Sequence, residues 1–311
     1  MSLAIASTIG DVVDPTTRGQ ALDIHGKTIL ITGATSGIGK EAAVMLAREG
    51  AQVVIVGRNA DKTHAVLDEI RQRAGSPDVS SMLCDFASQA SIHALAEAVL
   101  TACPRLDVLI NNAGGVHPRR ELTEDGIEAT FAINHLGYFL LTNLLLDRLK
   151  ASAPARVVNV ASEAHRRGTL DLDDIGFARG DYHTLRAYAR SKLANVLFTR
   201  ALARRLQGTR VSVNCLHPGV VGTHIWDHGA PAWAETFFRG VMAPVKRLAM
   251  RRPEDGARVV VRLAIGDDVA DQTGLYFNRE RVAEPADLAR DDALAEKLWH
   301  ESTRLTRLDP D

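Results

Sequence analysis

A tyrosine and a lysine that could act together lie four residues apart in the sequence, at Tyr188 and Lys192. The stretch from Leu185 to Leu206 contains no Pro or Gly, and its apolar periodicity predicts a helix. Side chains four apart share a helix face, with Cβ atoms about 5–6 Å apart. A lysine ammonium there lowers the pKa of a phenol, ordinarily near ~10, towards that of an acid/base catalyst. Such pairs also face solvent on many helices by chance, so the rest of the chain decides between the two interpretations.

The elements that must position this helix alternate regularly along the chain. Short runs rich in β-branched residues predict six strands, at Thr28–Thr32, Gln52–Val56, Ser81–Cys84, Leu106–Ile110, Arg156–Val160 and Val211–Cys215. Helices are predicted after the first five, at Lys40–Glu49, Asp61–Ala74, Ser91–Ala102, within Gly126–Lys150, and at Leu185–Leu206. Such alternation indicates parallel strands with helices on both faces. The predicted fold class is α/β, a doubly wound parallel sheet of about seven strands in three layers.

Composition and charge exclude several classes of protein. The 311 residues are 46% hydrophobic and 24% charged, as in a globular protein with a sizeable core, and the net charge of −1 gives no reason to expect nucleic acid as a partner. Residues 1–24 lack the features of a signal peptide or membrane anchor, so we interpret them as an extension to a single domain at 25–311. The cysteines fit no metal spacing and indicate a reducing location, so we predict no metal and a cytoplasmic protein; they are Cys84, Cys103 and Cys215.

Three glycines follow the first predicted strand directly and open the first helix. Glycines in this context let the backbone approach a pyrophosphate, and the helix N-terminus supplies unpaired N–H groups and a positive dipole end. The alternative is a tight turn needed only for packing. We predict that this loop binds a dinucleotide through Gly33, Thr35, Ser36, Gly37, Ile38 and Gly39.

The residues after the second strand bear on which dinucleotide is bound. A dinucleotide fold selective for NAD commonly carries Asp or Glu here to bind the ribose 2′-hydroxyl, whereas this chain carries Arg58 and Asn59. A guanidinium can bind a 2′-phosphate with two parallel hydrogen bonds. We therefore predict NADP(H) rather than NAD(H), with Arg58 as the discriminating residue and Lys40 or Asn59 assisting. The alternative is that Arg58 is a solvated surface charge.

From about residue 27 to 277 the chain resembles the short-chain dehydrogenases/reductases, a family of Rossmann-fold enzymes. The resemblance rests on several motifs in the family's order: Thr32–Gly39 (TGATSGIG), Asn111–Gly114 (NNAG), Asn134, Ser162, Tyr188 with Lys192, and Pro218-Gly219. Coincidence does not account for that many ordered motifs. We therefore no longer expect Tyr188 and Lys192 to be a chance pair that faces solvent.

The resemblance implies a role for each catalytic candidate. Ser162 hydrogen-bonds and orients the substrate carbonyl, and Tyr188 exchanges a proton with its oxygen. Lys192 lowers the pKa of Tyr188 and binds the nicotinamide ribose. Asn134 supports a water that connects Lys192 to solvent. Two hydroxyl donors beside a carbonyl also stabilise the negative charge that grows on its oxygen during hydride transfer.

The resemblance also implies further cofactor contacts. Asp85 and Phe86 would contact the adenine, although a simple helix-entry role for Asp85 remains the alternative. The adenosine side would be lined by Asn111, Ala113 and Gly114, and the nicotinamide side would be closed by Pro218, Gly219 and Thr223.

A narrower resemblance, to the retinol dehydrogenase-like branch, is carried by the segments 131–143 and 186–198 and by the 26-residue spacing from Ser162 to Tyr188. Residues 220–250 contain Trp226, Trp233 and other aromatics, so we interpret them as a lid over an apolar substrate. His165 could contact a substrate oxygen or be a satisfied loop histidine.

The combined prediction is an NADP(H)-dependent oxidoreductase that interconverts a carbonyl, aldehyde or ketone, and an alcohol on a small apolar molecule. Two alternatives stay open: reduction of a C=C bond, as in the protochlorophyllide reductase branch, and a non-catalytic NADP-binding protein that senses redox state. Self-association into a homo-oligomer is also left open.

Overall fold

The computed structural model describes residues 24–219 and 252–308. The strands in these ranges are β1 (Thr28–Thr32), β2 (Gln52–Gly57), β3 (Val79–Leu83), β4 (Val108–Asn111), β5 (Ala155–Val160), β6 (Val211–His217), β7 (Tyr276–Asn278) and β8 (Arg281–Val282). They form one sheet in the order β3-β2-β1-β4-β5-β6-β7-β8, parallel except that β8 pairs antiparallel with β7. The predicted doubly wound α/β sheet is confirmed.

Helices cover both faces of the sheet. Their bounds in the described ranges are α1 (Gly37–Arg48), α2 (Ala60–Ala74), α3 (Gln89–Ala102), α4 (Ala129–Phe131), α5 (Gly137–Leu144), α6 (Leu146–Ala151), α7 (Thr184–Arg205), α8 (Pro253–Ile265) and α9 (Asp292–Thr306). One core lies between the sheet and α1, α2 and α8, and the other between the sheet and α3, α5, α7 and α9. Strands buried on both faces explain why their sequences read as continuous apolar runs.

The strand order reverses between β1 and β4, because β2 and β3 continue to one side of β1 and β5 to β7 continue to the other side of β4. The connections after β1 and β4 therefore leave in opposite directions and open a crevice at the carboxyl ends of the strands. The candidate site lies in this crevice.

The helix predicted within Gly126–Lys150 is interrupted. It begins at Ala129, because the Glu128 carboxylate accepts hydrogen bonds from the backbone N–H groups of Thr130 and Phe131 at 2.8 Å each. A π-helical turn at Ala132–Leu136 then separates α4 from α5. π turns cannot be deduced from apolar periodicity and frequently mark functional sites.

Other boundaries differ by smaller amounts. The fourth strand begins at Val108 rather than Leu106, because the buried Asp107 carboxylate accepts from the Thr28 backbone N–H at 3.0 Å. The third strand lies two residues earlier than predicted at its start, at Val79–Leu83. Most of the extension predicted at 1–24, the lid predicted at 220–250 and Thr223 lie outside the described residues.

The last helix, α9, closes one face of the molecule through Trp299. The Trp299 indole is 7% exposed and lies edge-on to Phe139, with the ring centroids 4.9 Å apart. It also stacks on Phe198 of α7 and beneath the Arg205 guanidinium, 3.9 Å from the ring centroid. One side chain thus fastens α9 to both α5 and α7.

We predict that Trp299→Ala lowers the free energy of unfolding by about 3–5 kcal/mol, because it leaves a cavity between three helices. Urea unfolding measures the change. The control is Leu288→Ala, a nearby side chain that is 38% exposed, which should change stability by less than about 0.5 kcal/mol. Equal effects of the two substitutions would contradict the fastening role.

Candidate active site

A cavity of about 1250 Å³ opens at the carboxyl ends of the strands. It is lined by segments that follow β1 to β6 and by the start of α7. The predicted site residues that line it are Gly33, Thr35, Ser36, Gly37, Ile38, Arg58, Asn59, Asp85, Phe86, Ala113, Gly114, Ser162, Tyr188, Lys192, Pro218 and Gly219. Residues chosen from separate motifs are therefore brought to one place.

The glycine loop has a backbone that side chains would disturb. Gly33 and Gly37 have φ values of +66° and +56°, in the left-handed region that favours glycine. A Cβ on Gly33 would also lie 2.6 Å from the Ala113 Cα. Ser36 caps α1 without a side-chain hydrogen bond, so no serine oxygen occupies the first N–H groups of the helix. This loop and helix end fit the pyrophosphate of a dinucleotide.

Gly39, which was predicted to contact the cofactor, does not line the cavity. A Cβ at Gly39 would lie 2.5 Å from Asn112 Nδ2 and 2.7 Å from the Gly33 carbonyl oxygen. The Asn112 amide donates to the carbonyls of Thr32 and Gly33 at 2.9 and 3.0 Å. Gly39 therefore leaves room for the amide that fixes the glycine loop.

At the end of β2, Arg58, Asn59 and Lys62 line the cavity. The Arg58 guanidinium is exposed, and no residue in the described ranges forms a hydrogen bond or ion pair with it. The Asn59 side chain caps α2 by accepting from the Lys62 N–H at 2.8 Å. Lys40, predicted as a helper, instead pairs with Glu69 at 2.8 Å and lies outside the lining. The sequence analysis did not select Lys62. Its position around helix α2 brings it to the cavity, and its neighbours in the sequence do not indicate this.

The NNAG motif is divided between the core and the cavity. Asn111 was predicted to line the adenosine side, but it is fully buried and donates to Thr142 and Asn159 at 3.0 and 2.9 Å. The side chain that lines the cavity is Asn112, since successive strand residues point to opposite faces. Thr32 Oγ1 accepts from the N–H groups of Asn112 and Ala113, which ties this motif to β1.

Asp85 and Phe86 follow β3 at the same end of the cavity. The Asp85 carboxylate accepts from the Ala87 N–H at 3.0 Å, as in a turn that leads into α3. This bond agrees with the helix-entry alternative and leaves the adenine contact a prediction.

At the opposite end, Ser162 follows β5 and Tyr188 lies in the second turn of α7. Their hydroxyl groups are hydrogen-bonded. Burial raises the pKa of Tyr188 above its ordinary value, and the Ser162 hydroxyl opposes that rise. Ser162 Oγ also accepts from the Ala164 N–H at 3.2 Å, which fixes its rotamer. The pair presents two hydroxyl groups side by side, as a carbonyl oxygen requires.

Lys192 lies beneath Tyr188 and is only 2% exposed. Its Nζ donates to the Val160 carbonyl at 2.9 Å and lies 5.7 Å from the centroid of the Tyr188 ring. Burial lowers the pKa of Lys192 to about 7. The sequence argument assumed a permanently charged lysine that lowers the pKa of Tyr188, but burial instead lowers the lysine's own pKa and raises the tyrosine's. The sequence argument was wrong because it used the pKa of a solvated lysine, whereas Lys192 is buried.

Asn134 does not line the cavity but is fully buried in the π turn. It accepts from the Gly115 N–H at 2.8 Å and donates to the Gly115 carbonyl at 2.9 Å. It also donates to Ser191 at 3.1 Å. The geometry shows Asn134 joining the strand-β4 connection to α7, and its predicted water relay stays a prediction.

The substrate end combines apolar and charged groups. Its lining includes Ile133 and the 65% exposed Leu185, together with His117, Arg167 and Arg186. His165 was considered for substrate contact, but its ring is fully buried and outside the lining. Within the described residues, no group of three or more metal-binding side chains occurs, and no helix has the length and apolarity to cross a membrane.

The buried lysine makes a prediction about stability and pH. Lys192→Met should make the protein without added cofactor more stable than the wild type at pH 6, where both states of the wild type hold the charge and folding must bury it. From pH 7 upwards the folded wild type releases the proton while the unfolded chain keeps it, so wild-type stability rises with pH. The advantage of Lys192→Met therefore shrinks by at most about 1.4 kcal/mol for each pH unit up to the lysine's ordinary pKa.

Chemical unfolding at pH 6, 8 and 9.5 measures this difference. Lys62→Met, which replaces an exposed lysine, controls for the substitution itself. A difference between Lys192→Met and the wild type that stays constant from pH 6 to 9.5 would show that folding does not lower the pKa of Lys192.

Comparison with known proteins agrees with this geometry. Residues 27–231 match the family model of the short-chain dehydrogenases. Retinol dehydrogenase 13 of Homo sapiens is 43% identical over 290 residues, which cover 92% of this chain and 86% of the human protein. The range that matches the family model spans the glycine loop, Ser162, Tyr188 and Lys192.

Two solved structures are also similar. A crystal structure of an uncharacterized protein from Mycobacterium paratuberculosis superimposes with a TM-score of 0.74 at 31% identity, and covers 94% of this chain and 97% of its own. A short-chain dehydrogenase from Shigella flexneri, solved in complex with NADP, has a TM-score of 0.63 at 29% identity, and covers 83% of this chain and 99% of its own. Sequence, fold and site together lead to one conclusion: the chain belongs to the short-chain dehydrogenase/reductase family.

Proposed function

We propose that this protein is an NADP(H)-dependent oxidoreductase that interconverts an apolar aldehyde or ketone and the corresponding alcohol. The observation that carries the proposal is the hydrogen bond between the Ser162 and Tyr188 hydroxyl groups above the buried Lys192. Two hydroxyl groups that converge in a cavity, with a titratable amine behind them, suit proton transfer at a carbonyl oxygen.

In the direction of reduction, the Ser162 hydroxyl donates a hydrogen bond to the carbonyl oxygen and orients it. Tyr188 donates its proton to the same oxygen as negative charge grows there. The carbonyl carbon would accept the hydride that NADPH supplies when it is bound. In the direction of oxidation, Tyr188 takes the proton from the alcohol.

Lys192 supports this proton transfer by its position and its pKa. Because burial brings that pKa to about 7, the amine can change protonation state near neutral pH. When it is protonated, its charge favours the phenolate of Tyr188, which lies close by. Lys192 thus favours the phenolate of Tyr188 most when Lys192 itself is protonated.

The preference for NADP(H) rests on the cationic end of the cavity. Arg58 and Lys62 line it, and no carboxylate follows β2 where a 2′-hydroxyl would need one. A 2′-phosphate there would form charge-assisted hydrogen bonds with the guanidinium. The NADP complex of the related Shigella flexneri enzyme supports the same choice.

The substrate class rests on Ile133, Ala164 and Leu185, apolar residues that line the same cavity as Tyr188. The human relative is named for retinol, a long apolar alcohol. Retinal and retinol are therefore the first pair to assay, with shorter aliphatic and aromatic aldehydes beside them.

We predict that Tyr188→Phe lowers kcat for NADPH-dependent aldehyde reduction by about 10³-fold or more, because it removes the proton donor and leaves the ring in place. Affinity for NADPH, measured by its fluorescence on binding, should change by less than about twofold. Tyr182→Phe is the control, since Tyr182 itself does not line the cavity and its hydroxyl bonds the His117 backbone carbonyl and the Glu128 carboxylate. Turnover by Tyr188→Phe equal to that of Tyr182→Phe would refute the assigned role.

We predict that Arg58→Ala lowers kcat/KM with NADPH by about 10–100-fold and leaves kcat/KM with NADH nearly unchanged, because only NADPH carries the 2′-phosphate. Steady-state kinetics with both cofactors measures the ratio. Arg210→Ala removes an exposed arginine at the amino end of β6 and should leave the ratio unaltered. A wild-type enzyme that prefers NADH by tenfold or more would contradict the cofactor assignment.

A further inference from the structure

His165 lies three residues after Ser162, in the 3-10 turn Glu163–Arg167 that follows β5. Its ring is fully buried, while its neighbours Glu163, Ala164 and Arg166 line the cavity. A polar ring so close to Ser162, yet turned away from the cavity, must have its partners inside the protein.

Both ring nitrogens of His165 have a partner. The Ala286 backbone N–H donates to Nε2 at 3.1 Å, so Nε2 is an acceptor. Nδ1 lies 2.7 Å from the Ser162 carbonyl oxygen, which can only accept, so Nδ1 carries the hydrogen and donates. Burial lowers the pKa of His165, in keeping with the neutral ring that this arrangement requires.

Glu163 provides a second connection from the same turn to the same distant segment. Its carboxylate accepts from the Tyr276 hydroxyl and the Asn278 amide of β7 at 2.9 Å each. The His165 ring packs against the Tyr276 ring, with centroids 4.7 Å apart. The turn after Ser162 is therefore fixed by residues more than a hundred positions later in the chain.

The Ser162 carbonyl accepts from the His165 ring and also, at 3.1 Å, from the His165 backbone N–H, so the two bonds together close the turn. The same turn carries the Ala164 N–H that holds Ser162 Oγ, and the ring bond is the one that a side-chain substitution can remove. Oγ has to remain within hydrogen-bond reach of Tyr188 and of the reacting oxygen. A misplacement of about 1 Å can cost roughly 10²-fold in rate.

We propose that His165 is a positioning residue for Ser162: its Nδ1–H fixes the Ser162 carbonyl, and its Nε2 anchors that bond to the segment at Ala286. This inference rests on the proposed function only in so far as Ser162 acts in catalysis. The hydrogen-bond geometry itself does not depend on the substrate.

Two amide substitutions separate the two bonds. His165→Asn places an amide nitrogen near the position of Nδ1 and can keep the donor to Ser162. His165→Gln reaches the position of Nε2 and can keep the acceptor for Ala286, without a donor to Ser162. His165→Ala removes both.

His93→Asn, on the exposed face of α3, controls for a histidine change. Val99→Ala, in the core and outside the cavity lining, controls for a general loss of stability.

We expect His165→Ala and His165→Gln to lower kcat about 30–100-fold with KM for NADPH within about twofold, and His165→Asn to recover kcat to within about fivefold of the wild type. Val99→Ala, compared at temperatures equally far below each Tm, should retain the wild-type kcat. A structural role alone would lower Tm in all variants without the difference between Asn and Gln.

A second readout does not require turnover. The ¹³Cζ resonance of Tyr188, assigned by its loss in Tyr188→Phe, reports the hydrogen bond from Ser162. It should shift in His165→Ala and His165→Gln and keep its wild-type position in His165→Asn and His93→Asn. If the wild type reduces no carbonyl but the resonance follows this pattern, the proposed function fails and the positioning role stands. If the resonance and kcat are the same in the Ala, Gln and Asn variants, the positioning role is wrong.

Discussion

The burial of the Lys192 ammonium is the constraint on which the site depends. Removing a charged amine from water costs several kcal/mol unless polar groups replace the lost water. The structure supplies the Val160 carbonyl at the end of β5 and the faces of the Tyr138 and Tyr188 rings, about 5.6 and 5.7 Å away. These partners offset only part of the cost, as the low pKa of the lysine indicates. Because the rest of the cost is not offset, the amine of Lys192 can exchange a proton readily near neutral pH.

This arrangement requires β5 and α7 to keep a fixed distance. Val160 holds the lysine and Ser162, two residues later, bonds the tyrosine, so one strand end contacts both members of the pair on α7. Helix α7 is held in turn by the sheet on one side and by Trp299 of α9 on the other. The packing of apolar side chains thus sets the distances among Ser162, Tyr188 and Lys192. None of these three polar residues could set those distances alone.

Much of the fold and site follows from local sequence. The strand–helix alternation, the glycine loop and the Tyr188–Lys192 pair are short patterns with a direct physical meaning. They predicted the sheet, and most of the predicted site residues line the cavity. The errors came from side-chain direction. Asn111 and Asn112 are adjacent, and only the pleat decides which one enters the core. Lys40 and Lys62 are the same type of residue, but Lys40 pairs with Glu69 of α2 and does not line the cavity, whereas Lys62 does.

Long-range contacts and the charge state of Lys192 also could not be predicted from the sequence. The partners of His165 and Glu163 lie in residues 276–286, too far along the chain for any spacing rule to join them. The pKa of Lys192 depends on how completely the fold buries it, which a helical pattern does not reveal. The cytoplasmic location and the role of Thr223 stay predictions, and self-association stays an open alternative.

The dependence of the Ser162 turn on Ala286 also has a meaning for biosynthesis. Residues up to Gly114 supply the glycine loop and the cationic end of the cavity, and they leave the ribosome first. The bond that completes the histidine's contacts comes from a segment translated near the end. The contacts that hold the turn after Ser162 are therefore complete only when residues 276–286 have been synthesised.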